Sequence, residues 1–148
     1  MLFRSSFDLY EKLADRLSRE GNLRAALATL GNGLRGGPED IDLLIVTEAS
    51  LPFLRQAAAG KSRRLPSQEA ETLLQEMVAR IGAASLSSYI PYLNLARAEA
   101  LLGHPAEAVG HLRLAVEKGC PRARILPDEQ DLKTLLGQPG FEELTRIP

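Results

Sequence analysis

Apolar residues recur along this chain with the spacing of helices, in stretches punctuated by glycine and proline. Tyr10, Leu13, Ala14 and Leu17 fall at i, i+3, i+4 and i+7, one stripe of a 3.6-residue helix. Ser5 or Ser6 supplies a hydroxyl cap for that first helix, and Asp8 places a carboxylate near its positive end. Gly21-Asn22 ends it. A second stripe, Leu23, Ala26, Leu27, Leu30 and Leu34, runs until Gly36-Gly37-Pro38 stops it. Ile41 to Val46 has the β-branched content of a buried strand, but no second run of that kind exists to pair with it. It is therefore read as a third helix, kinked or restarted at Pro52 and carried by Phe53 to Ala59 as far as Gly60.

A polar, basic connector spans Lys61 to Ser67. The fourth helix follows from about Gln68 to Ile81, striped by Ala70, Leu73, Leu74, Met77, Val78 and Ile81, and Gly82-Ala83-Ala84-Ser85 closes it. A fifth starts at Ser87 or Ser88, with Pro91 in its first turn where the missing N–H costs little. A sixth runs from Pro105 to Lys118, stopped by Gly119 and Pro121. The tail holds a short helix near 129–136 and a last turn over 141–147.

Composition strengthens this reading without redirecting it. Leu and Ala supply 46 of the 148 residues, and both favour helix. A chain of this length is expected to form one domain, over 1–148. The formal net charge of −1 gives no bulk pull toward nucleic acid or an anionic membrane. No apolar run approaches the ~18–20 residues that span a bilayer. Met1 to Ser6 lacks the apolar core and cleavage site of a secretory signal, so cytoplasmic residence is the expectation. The single cysteine, Cys120, excludes an internal disulfide and is expected to be a reduced thiol near a helix end.

The first and last helix pairs share one order of large and small residues. Tyr10, Leu13, Ala14, Leu17, Gly21, Ala26, Leu30 and Pro38 are echoed by Tyr92, Leu95, Ala96, Gly103, Ala108, Leu112 and Ala115. This order resembles the tetratricopeptide repeat, W-x2-L-G-x2-Y, A-x3-F, P at a period of ~34 residues. Residues 7–40 match it closely and 89–122 look like a second copy, with Glu99 standing where a large residue is expected. Gly21 and Gly103 lie 82 positions apart, against roughly 68 for two periods, so a middle copy carries about 14 extra residues. Ala70 and Leu74 keep the Ala-x3-large spacing there, while Thr47 and Glu48 depart from the large–small pair. The tail, with Asp128, Asp131, Leu132, Leu135, Pro139, Phe141 and Leu144, is similar to the segment that covers the last repeat of many bacterial tetratricopeptide proteins.

The resemblance implies an all-α, right-handed superhelical solenoid of antiparallel helix pairs, with about six to eight helices. Its repeats would span about 7–40, 41–82 (divergent) and 87–122, and a cap would span 123–148. It also implies a concave groove lined by the first helix of each repeat. Carried onto this sequence, that groove takes Asp8, Glu11, Asp15, Ser18 and Arg19 from the first repeat and Ile90, Leu93, Asn94, Arg97 and Leu101 from the last. The positions that clamp chaperone C-termini in some members hold Glu11 and Asp15 at one end and Ile90 and Asn94 at the other. A carboxylate-terminated peptide would be repelled at the first end, so no such binding is expected. A partner segment with a basic part suits the groove better.

Signals for catalysis are weak. Gly60-Lys61-Ser62 resembles the end of a phosphate-binding loop, but Arg55 stands where that loop needs its first glycine. His104 and His111 are seven residues apart, too far for a one-turn metal pair, and both read as solvated. Lys61, Arg63 and Arg64 lack the interleaved aromatics of an RNA surface and read as a solvated loop. The expectation is a binding protein with no catalytic residue, cofactor or metal, taking a protein or peptide partner and neither nucleic acid nor membrane, with homo-oligomers left open. Leu93, Leu101, Asn94, Arg97, Asp15, Glu11 and Arg19 would form its contact surface. A dedicated chaperone for a secreted substrate and a structural subunit of a larger assembly are the alternatives.

Overall fold

The computed structural model describes residues 7–36, 43–59, 67–84, 86–125 and 130–146. Several expectations lie outside those residues: the Ser5 or Ser6 cap, the stop at Gly37-Pro38, the start at Ile41, Gly60 to Arg64, Ser85, Asp128 and Ile147. Among the described residues there are seven α-helices and two short 3-10 segments, and no strand. The chain divides into two compact units, Met1–Ala83 and Ala84–Pro148, where its length argued for one domain. The division falls where the repeat pattern ends its divergent middle pair.

In the first unit α1 (Phe7–Arg19) and α2 (Leu23–Gly36) form an antiparallel hairpin. Its turn depends on Gly21, whose φ of +85° strains any residue with a Cβ. With that glycine in place, its N–H donates to Ser18 O at 3.0 Å and the Asn22 N–H donates to Leu17 O at 2.9 Å, a Schellman cap. Asn22 then turns its side chain forward: Oδ1 accepts from the Ala25 N–H at 3.1 Å. One residue therefore closes α1 and caps α2.

Ala14, Ala26 and Leu30 are fully buried in this hairpin. Leu13 is not; it is 47% exposed, as Leu9 is at 54%, so the expected stripe is rotated. The physical reason is the close crossing: the helix presents Ala14 to α2, and Leu13, next in sequence, falls to the side. Tyr10 packs over Gly33, where a Cβ would lie 2.6 Å from the ring's Cγ and 2.9 Å from Tyr10 Cβ.

The third helix, α3 (Leu43–Ala59), settles the ambiguous apolar run as helix and continues through Pro52. Thr47 and Ser50 are buried because their hydroxyls donate to carbonyls of the preceding turn, Leu44 O at 3.0 Å and Val46 O at 2.8 Å. This helix packs on α2 and α1. The fourth, α4 (Ser67–Ala84), buries Ala70, Leu73, Leu74, Met77 and Ile81 and runs through Gly82 instead of stopping there. It meets α2 through Arg24–Glu69 at 3.2 Å, Arg35–Glu76 at 3.3 Å, and a bond from Arg80 Nη1 to Leu34 O at 2.9 Å.

In the second unit α5 (Ile90–Leu101) and α6 (Pro105–Glu117) repeat the hairpin. Ser88 Oγ accepts from the Ile90 N–H at 3.2 Å, and Pro91 occupies the first turn. Gly103, with φ of +83°, allows the same Schellman pair: Gly103 N–H to Ala100 O at 3.3 Å and His104 N–H to Glu99 O at 2.8 Å. Ala96, Ala108, Leu112 and Ala115 are fully buried. A 3-10 turn (Arg122–Arg124), a 3-10 segment (Gln130–Leu135) and α7 (Phe141–Arg146) follow. The segment lies against α5, where Thr134 Oγ1 donates to Ala100 O at 3.4 Å. Leu132, Leu135, Phe141 and Leu144 are buried.

Small residues at the crossings make opposite predictions for two neighbouring glycines. Gly31 has nothing within 4 Å of an added Cβ, so Gly31→Ala gains helix propensity and stabilises by about 0.5–1 kcal/mol. Gly33→Ala meets the fixed root of Tyr10 and destabilises by about 1–3 kcal/mol, as do Ala26→Leu and Ala108→Leu. Urea or thermal melts that rank Gly31→Ala and Gly33→Ala alike would refute this packing.

Candidate partner-binding cleft

A cleft of about 400 Å³ opens between α1 and α3 in the first unit. Glu11, Lys12 and Asp15 wall one side, one helical turn apart for the two acids; Ala49, Pro52, Phe53 and Gln56 form the other. Phe53 is nearly buried, while the Pro52 ring is exposed beside it, so the α3 side offers apolar surface. Ser18 Oγ donates to Gln56 Oε1 at 3.0 Å and ties the two helices at one end. Asp15 pairs with Arg19, whose guanidinium is held above its ordinary range by that hydrogen bond and charge. Both are solvent-exposed, so the pair shapes the rim and adds little to stability.

The first-repeat residues Glu11 and Asp15 thus fall together at a real concavity, with Arg19 at its edge. Pro52, Phe53 and Gln56, the α3 wall, were missed; the available signal was an aromatic directly after a proline inside a helix. The last-repeat residues behave differently. Leu93 is fully buried, Asn94 is 1% exposed and Arg97 is 9% exposed; Ile90 and Leu101 are half-buried. Every residue of α5 from Pro91 to Ala100 is buried, Leu93, Asn94 and Arg97 among them, where the resemblance implied an open groove face. Part of the cause is the 3-10 segment Gln130–Leu135, which packs on α5.

Glu99, the residue out of place in the repeat pattern, has a partner. Its carboxylate is nearly buried, and Oε1 lies 2.5 Å from Nδ1 of His111 on α6. His111 is therefore half-buried and bonded, where the sequence read a solvated imidazole. A buried carboxylate needs such a donor, because leaving it unpaired costs several times what an ordinary hydrogen bond contributes. The signal was a glutamate inside an otherwise small and apolar turn of α5. His104 N–H belongs to the Gly103 cap.

Cys120 lines a second concavity in the second unit, and burial pushes its thiol up while Arg124 and Arg97 oppose that. The thiol Sγ lies 3.6 Å from Pro121 O. Among the described residues no cluster of three His, Cys, Asp or Glu side chains is arranged to hold a metal, and no helix is long and apolar enough to cross a membrane. None of the known protein families, curated proteins or solved structures compared with the chain matches it.

The Glu99–His111 contact is testable by a double-mutant cycle. Glu99→Leu and His111→Leu should each destabilise, and the double variant should lose less than their sum, with a coupling of about 0.5–3 kcal/mol. Strict additivity in urea melts would remove the contact from the core of the hairpin.

Proposed function

We propose that this chain is a tetratricopeptide-like adaptor, without catalysis of its own, that holds a segment of a protein partner along the α1–α3 cleft. The observation that carries the reading is the cleft itself. In a repeat of this kind the first helices of successive pairs line the binding face, and α1 and α3 hold those positions in the sequence pattern. Support for the repeat comes from the two hairpins, each closed by a left-handed glycine and each carrying buried alanines at its crossing. Glu11 and Asp15 set two carboxylates on the α1 wall beside Lys12, and Pro52 with Phe53 gives the α3 wall its apolar character. A segment pairing a basic residue with an apolar one meets both walls. Cytoplasmic residence and a bacterial source go with this reading.

A second reading, a subunit docked permanently in a larger assembly, draws on Leu9 and Leu13. They sit one turn apart on α1 and are both about half exposed. Light scattering after size-exclusion chromatography separates the two, since permanent docking to its own copy gives a stable dimer mass at micromolar protein.

The cleft is tested with charge. Once a partner has been purified, Glu11→Lys with Asp15→Lys should weaken its affinity about tenfold and flatten its salt dependence. Unchanged affinity in a variant that keeps its helical circular dichroism would sink the assignment.

A further inference from the structure

We draw no further inference here: the strongest candidate, the exposed apolar pair Leu9 and Leu13 one turn apart on α1, carries nothing because nothing in the structure shows what covers it.

Discussion

When a helical hairpin is closed by a single left-handed glycine, its two helices are set side by side, and the side chains at their crossing decide how near the backbones come. Here those side chains are alanine and glycine. Ala14 and Ala26 in the first hairpin, and Ala96, Ala108 and Ala115 in the second, are fully buried. The space they leave is taken by larger neighbours such as Tyr10, whose Cγ would stand 2.6 Å from a Cβ at Gly33. The same constraint sends Leu9 and Leu13 outward. A helix that turns its small residues inward to approach a neighbour exposes the large ones next to them.

Close packing also dictates how polar groups are buried. Thr47 and Ser50 return their hydroxyls to carbonyls of their own helix, so they occupy interior positions without leaving a donor unmade. Arg80 reaches a carbonyl near the end of α2, where helical carbonyls lack intrahelical donors and carry partial negative charge. Glu99 goes furthest: its backbone carbonyl accepts the bond that closes the Gly103 turn, and its carboxylate meets His111 on the following helix. One residue thus joins the turn and both helices of the hairpin.

Concave surface is what the close packing of the hairpins leaves open. The α1–α3 cleft combines carboxylates on one wall with an aromatic and a proline on the other, whereas the residues of α5 from Pro91 to Ala100 are buried. The hollow by Cys120 differs in kind, with aliphatic walls from Val116, Ile125 and Leu144.

Helix existence, the glycine turns and the alanine crossings were legible in the amino-acid order, because periodicity, left-handed backbone and side-chain volume are local properties. Leu23–Gly36 and the start at Pro105 fell where the pattern put them. Glu11 and Asp15 were placed together on one face of α1 for the same reason, and both line the α1–α3 cleft. The helix through Gly82, the burial of Leu93, Asn94 and Arg97, and the pairing of Glu99 with His111 were decided only in three dimensions. Each depends on which element arrives from a distant part of the chain: periodicity fixes which side of a helix a residue occupies, and tertiary packing fixes whether that side meets water or protein.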